Sequence, residues 1–302
     1  MITIQNLTKR FGNFTAVSDL SLEVERGSIC GLLGPNGSGK TTTFKCLLGF
    51  APATAGRMQI DGRPLEPATF ERLSYVPERS ALYEWMTVGQ HIEMQRRSFS
   101  RFDASRAKDL LDLFKLDPNK RVKRLSKGQQ TAVAIILAFS IRPDVLVLDE
   151  PASGLDPIFQ RVVIDLMIDA AAGGATILFS SHQITQVERA ADHVAILRSG
   201  KLVLEGVVDT LKSSEKIVEA IFDHTVPPLD GLAHDVRVRR IERSGRILRA
   251  YVHTGSDDVA RQLEALGPRS VSVLDLNLED IFLGAVEPDT VDRVAVSTGD
   301  PK

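Results

Sequence analysis

Cysteine, tryptophan and tyrosine are scarce in this chain, with two, one and three copies among 302 residues. Two thiols cannot build a disulfide framework, and Cys30 and Cys46 stand where small buried apolar residues belong, so packing thiols are expected. An excess of charge of one sign is also missing. The formal net charge is -2, which offers no basic footprint, and nucleic acid is not an expected partner. The longest apolar run, from Ala132 to Ile141, falls short of the ~20 residues a membrane helix needs. The first residues do not form a signal-peptide pattern, so a soluble, cytosolic chain is expected. There is no internal repeat and no low-complexity run. The length exceeds one compact core and predicts a principal domain with a smaller one.

What is present starts with Gly34-Pro35-Asn36-Gly37-Ser38-Gly39-Lys40-Thr41-Thr42, which fits G-x-x-x-x-G-K-[ST] at every fixed position. Glycines let the backbone turn its N–H groups inward, and a helix starting near Gly39 adds the positive end of its dipole to that anion nest. Lys40 supplies a point charge for outer phosphates, and the Thr41 hydroxyl is placed to ligate an accompanying Mg²⁺. The flanks agree: Ser28 to Leu33 reads as a buried strand running in, and Phe44, Leu47 and Leu48 repeat at helical spacing before Gly49. Nucleoside triphosphate binding is the expected chemistry.

Upstream, residues 1 to 33 alternate polar and apolar as antiparallel strands do, interrupted by a turn at Phe11-Gly12-Asn13 whose aromatic is either a base-stacking platform or a hairpin plug. Downstream come a hairpin at Met58 to Arg63 and a short strand at Leu73 to Pro77 that ends at Glu78. A charged stretch of helical periodicity follows, from about Arg79 to Arg142. Within it, Ser126 and Gly128 open an apolar helix and offer a second anion site. Val145 to Leu148 is an apolar strand ending in Asp149 and Glu150, the pattern of a buried parallel strand whose tip faces a site. Strand alternation predicts that these acids point in different directions, Asp149 towards a Mg²⁺ shell and Glu150 towards a water. A tight turn, Ser153 to Asp156, precedes a helix, and a second apolar strand, Ala175 to Ser181, delivers His182 at its tip to polarise a terminal phosphate. A hairpin at His193 to Gly206 closes the first domain. Residues 215 to 285 then read as strand, hairpin, helix, strand, helix. The pattern fades after Val286.

Cradle, Leu125-Ser126-Lys127-Gly128-Gln129, apolar strand with Asp-Glu, Ser153-Gly154-Leu155-Asp156 and strand-His, in this order, resemble the ATP-binding subunits of ABC transporters over residues 1 to about 210. The implied fold is α/β, a P-loop NTPase cassette with an antiparallel β-subdomain and a helical insertion, followed by a small α+β C-terminal domain. Its implied bounds are 1–212 for the cassette, about 79–142 for the helical part, 213–286 for the accessory domain and 287–302 for a flexible tail. By resemblance, Gly34 to Thr42 is the Walker A loop, Asp149 ends Walker B, Glu150 is the catalytic glutamate, Asp156 lies in the D-loop and His182 is the switch histidine. Ser126, Gly128 and Gln129 match the signature that meets ATP on a second cassette, Phe11 the base-stacking aromatic, and Glu78 the Q-loop position.

The implied cofactors are ATP and Mg²⁺, the metal at Thr41, Glu78 and Asp149. The implied partners are a second copy or a related cassette and separate permease subunits, which would hold the chain peripherally on the cytoplasmic face of the membrane. Leu82 to Met86 is the expected docking surface. Asp275 to Leu283 resembles the ending of small-molecule exporter cassettes. Three departures stand out: Glu78 for the usual glutamine, Lys127 for the usual glycine, and Thr131-Ala132 where relatives carry polar or basic residues. A soluble ATPase working on ribosomes or nucleic acid is the alternative, weakened by the single cassette and the charge. A GTPase or small-molecule kinase would leave Leu125 to Gln129 and His182 unexplained, and Asn119-Lys120-Arg121-Val122 lacks the Asp of a guanine-reading segment.

Overall fold

A computed structural model describes residues 1–64, 66–229, 231–232 and 235–286. The expected tail at 287–302 lies outside the described residues. The chain divides into two compact units, Met1–Val207 and Val208–Lys302.

In the first unit, β1 (Ile2–Phe11) and β2 (Phe14–Val24) form an antiparallel hairpin across the Gly12-Asn13 turn. The unit continues with β3 (Ile29–Leu33), α1 (Lys40–Leu47), β4 (Ala55–Ile60), β5 (Arg63–Pro64), α2 (Pro67–Phe70) and β6 (Leu73–Val76). The insertion holds α3 (Val88–Ser98), α4 (Ala104–Leu113) and α5 (Lys127–Ser140), capped by Thr87, Asp103 and Ser126, whose side chains accept from backbone N–H groups in the first turn. Residues 79–87, expected within the helical stretch, precede the first of these helices. Then come β7 (Val145–Asp149), α6 (Pro157–Ala172), β8 (Thr176–Ser180), α7 (Ile184–Ala190), β9 (His193–Arg198) and β10 (Lys201–Val207).

Two sheets result. One runs β2-β1-β4-β5 and is antiparallel; the other runs β10-β9-β3-β8-β7-β6 and is parallel from β9 to β6. Every residue of β3, β7 and β8 is buried, as uninterrupted apolar strands covered on both faces should be. Phe44, Leu47 and Leu48 of α1 and its C-cap share one core with Ile4, Leu7 and Leu20 of the antiparallel sheet and with Leu32, Val147 and Leu178 of the parallel one. Burying that core fixes α1, and hence the loop before it, between the sheets. Cys30 and Cys46 lie in the same core, and burial pushes the Cys30 thiol up to about 12, which keeps it protonated and inert as packing thiols are.

The second unit starts with α8 (Val208–Ser214), so the boundary expected at 212 falls inside a helix. It continues with β11 (Lys216–Ile221), β12 (Val238–Ser244), β13 (Ile247–Val252), α9 (Ser256–Glu264), β14 (Ser270–Asp275) and α10 (Leu278–Val286). Its antiparallel sheet runs β12-β13-β11-β14. Strand alternation places Val218, Ala220, Leu248 and Ala250 against Val259 and Leu263 of α9, and Ile217 and Tyr251 on the other face with Leu276. Among the described residues no helix is long and apolar enough to cross a membrane.

Candidate nucleotide site

The loop of residues 34–39 leaves the tip of β3 in the middle of the parallel sheet and enters α1. Gly39 caps the helix at φ 107, and a Cβ there would stand 2.8 Å from the carbonyl oxygen of Ala16 in β2, so both conformation and space require glycine. Ser38 is buried, and its Oγ has no hydrogen-bond partner. Lys40 is buried as well. Its Nζ folds back over its own loop and donates to the carbonyl oxygens of Gly34 at 2.7 Å and Pro35 at 3.4 Å. Burial holds the ammonium below its ordinary value of 10.5, against the opposing pull of Glu150, Asp149 and Glu78. The three acids singled out in sequence therefore act on one lysine.

Asp149 ends β7 opposite Ser180 of β8. The Ser180 hydroxyl donates to Asp149 Oδ1 at 2.7 Å and accepts the Glu150 backbone N–H at 3.0 Å. Asp149 is 1% exposed, and its Oδ2 is left without a partner. A buried carboxylate oxygen open in this way is the donor that a hard divalent cation such as Mg²⁺ takes. Glu150 lies beyond the strand with φ 53, in the left-handed region, where a non-glycine residue costs ~1–2 kcal/mol. The two acids do take different partners, but through this left-handed residue rather than through the strand alternation expected. Glu150 Oε2 accepts from His182 Nδ1 at 2.7 Å and from the His182 backbone N–H at 3.3 Å. Ser180 on the neighbouring strand and His182 just past its end thus hold a strained conformation in place. Ser180 was not singled out by the sequence; its only signal is the first hydroxyl of the Ser180-Ser181 pair that ends an apolar strand before the histidine.

The remaining candidates lie around this centre in different ways. Glu78, just past β6, is exposed and reaches Lys40 through its charge. Its charge and that of Asp149, after burial, also raise the Tyr75 phenol. Exchanging Glu78 for Gln removes one of the three charges facing Lys40. We expect ATP turnover to stay within about 2- to 3-fold, the scale of one screened exposed charge; complete loss in a steady-state assay would make the carboxylate essential.

Ser126 and Gln129 close a capping box, each side chain accepting the other's backbone N–H at 3.2 Å, and Lys120 Nζ donates to Gln129 Oε1 at 3.3 Å. A Cβ on Gly128 would stand 2.5 Å from the Gly154 carbonyl oxygen, so glycine lets the start of α5 lie against the 153–156 turn. The stem of Lys127 runs beside Gly154. Asp156 caps α6, its Oδ1 accepting from the N–H groups of Ile158 and Phe159 at 3.0 Å. Among the described residues the hydrogen bonds of Ser126 and Gln129 stay at this helix start, away from Lys40, Asp149 and Glu150. Phe11 ends β1 and is 53% exposed.

Comparison with known proteins identifies the family. The family model described as "ABC transporter" matches residues 17–153. An uncharacterized ABC transporter ATP-binding protein, YhaQ of Bacillus subtilis, is 37% identical over 71% of this chain and 74% of its own length. Nod factor export ATP-binding protein I of Cupriavidus metallidurans is 32% identical over 94% of this chain and 96% of its own. Among solved structures, one titled as the ATP binding subunit of an ABC transporter superposes with a TM-score of 0.66 at 29% identity, covering 70% of this chain and 92% of that one.

Proposed function

This chain belongs to the ATP-binding proteins of ABC transporters, and from that membership we propose that it hydrolyses ATP to drive export of a small molecule through a separate membrane permease. The observation that carries the catalytic part is the Glu150–His182 contact of 2.7 Å, beside a lysine that senses both strand-tip acids. In this reading the backbone N–H groups of residues 34–42 and the ammonium of Lys40 hold the phosphates. Lys40 gives up the Gly34 and Pro35 carbonyls to do so. Thr41, Asp149 and Glu78 hold Mg²⁺, which when bound neutralises charge on the outer phosphates. Glu150 takes the proton of the attacking water as its oxygen bonds to the terminal phosphorus and the bond to the bridging oxygen breaks, leaving ADP and phosphate. His182 keeps the Glu150 carboxylate aimed through Nδ1, and its other ring nitrogen faces the departing phosphate. Phe11 stacks on the base.

Among the described residues, Ser126, Gly128, Gln129 and Asp156 have no partner in this cluster, which supports their use on ATP held by a second copy or a related cassette. Export is supported by the Asp275 to Leu283 ending and by the name of the Nod factor relative. In this reading the chain is peripheral, bound to its permease on the cytoplasmic face. The docking surface lies before α3, where Tyr83 and Trp85 are 52% and 68% exposed with rings 5.8 Å apart. Met86, expected to share that surface, is buried. His91 props the pair from below: its Nε2 accepts the Tyr83 N–H at 3.0 Å, and its Nδ1 donates to the Thr87 carbonyl at 2.9 Å. Trp85→Ala is expected to lower the fraction of chain recovered on host membranes by tenfold or more, as loss of an interface hot spot of ~2 kcal/mol does; recovery equal to wild type would move docking elsewhere.

A further inference from the structure

Lys9 of β1 is a charged residue buried in the first unit. Its position follows from a break in β1. Asn6 has φ 51 and the register with β2 shifts between Ile4 and Leu7, so the buried face passes from Ile2 and Ile4 to Leu7 and Lys9, with Phe11 next on the same side. Asn6 Nδ2 secures the bulge by donating to Asp19 Oδ1 at 2.9 Å.

The bulge turns a lysine inward. Lys9 is 9% exposed, and among the described residues it forms no ion pair. A buried ammonium without an acid is costly, and an apolar side chain would fill the place more cheaply. Its ammonium has two partners among the described residues. Nζ donates to the Pro52 carbonyl oxygen at 2.8 Å, and it stands 4.7 Å from the centroid of the Phe11 ring. The Pro52 loop is itself tied to β1, the Thr54 N–H donating to the Thr8 carbonyl at 2.8 Å and Thr54 Oγ1 accepting the Arg10 N–H at 3.0 Å. The cation is thus fixed against a ring that is 53% exposed.

We infer that Lys9 is a positioning residue for nucleobase recognition, fixing Phe11 by a cation–π contact so that the free face of the ring is presented to the purine of ATP. The inference rests on the reading of Phe11 as the base platform. The ammonium holds the ring before nucleotide arrives, which spares part of the ordering cost of binding, and it draws π density from the ring, which favours an electron-rich purine on the other side. Base–aromatic stacking and the cation–π contact act in series, so losing Lys9 weakens what Phe11 does without touching the phosphate cradle.

The test measures KM and kcat for ATP and the inhibition constant of inorganic tripolyphosphate, which has no base, for Lys9→Met, Lys9→Gln, Lys9→Arg, Phe11→Ala and the Lys9→Met/Phe11→Ala pair. Lys9→Met and Lys9→Gln are expected to raise KM for ATP about 3- to 30-fold, with kcat and tripolyphosphate inhibition retained. Lys9→Arg restores the wild-type KM, and Lys9→Met adds nothing in the Phe11→Ala background. A raised KM in Phe11→Ala with wild-type KM in Lys9→Met and Lys9→Gln would overturn the role of Lys9 and leave the platform standing. An unchanged KM in Phe11→Ala would overturn the platform and the inference together. Equal weakening of ATP and tripolyphosphate in Lys9→Met would assign Lys9 to the fold alone.

Discussion

Exchanging Glu150 for Gln slows ATP hydrolysis by on the order of 10²–10⁴, the span for loss of a general base, while ATP remains bound. The substitution keeps the size of the side chain and an oxygen that can accept from His182 Nδ1, now at 2.7 Å from Glu150 Oε2. It removes the group that can take a proton. Phosphate affinity lies elsewhere, in Lys40 and the loop before α1, and Asp149 keeps its own support from Ser180. The variant should therefore fill with ATP and stall. Single-turnover phosphate release, with the bound nucleotide identified afterwards, separates the two effects. Wild-type turnover would remove Glu150 from the proton transfer.

Lys40→Met should show the opposite pattern. The ammonium supplies charge-assisted hydrogen bonds to phosphate, each worth ~1.5–3 kcal/mol, so ATP affinity should fall about 10- to 100-fold. The stability of the nucleotide-free protein should not fall with it. Lys40 has a pKa lowered on folding, with burial the largest cause, so its charged form is disfavoured in the folded state. That penalty is fully present at pH below the depressed value, and it disappears as pH rises through the ordinary 10.5. A methionine stem removes it at every pH. The expected result is a melting temperature at pH 7 equal to or above that of wild type without nucleotide, and loss of the further rise that ATP gives wild type. An unchanged ATP affinity would contradict the cradle.

The cradle was legible because it is local. Gly34 to Thr42 are contiguous, preceded by an uninterrupted apolar strand and followed by apolar residues at helical spacing. The order of β7, its two acids, β8 and His182 was legible for the same reason. What could not be read depends on which distant strands become neighbours. Ser180 meets Asp149 only because β7 and β8 pair with that register. The conformation of Glu150 at φ 53 is imposed by partners on β8 and its exit, and nothing in Leu148-Asp149-Glu150-Pro151 announces it. Asn6 is a polar residue in an alternating run, and its bulge becomes visible only with Asp19 across the hairpin. Leu82 to Met86 read as one exposed cluster, yet Met86 is buried while Tyr83 and Trp85 face out. Short α7 was missed because Gln183 to Glu188 is mostly polar and too brief to display a period.

Driving a membrane partner is what the proposed export activity requires of this chain. The most direct measurement is recovery of tagged Glu150→Gln protein from gently solubilised host membranes with ATP present, followed by identification of what accompanies it. An integral membrane protein in matched amounts is the predicted result, and it would identify the subunit through which substrate passes. Recovery only in the soluble fraction, with ribosomal or nucleic-acid partners, would contradict the account.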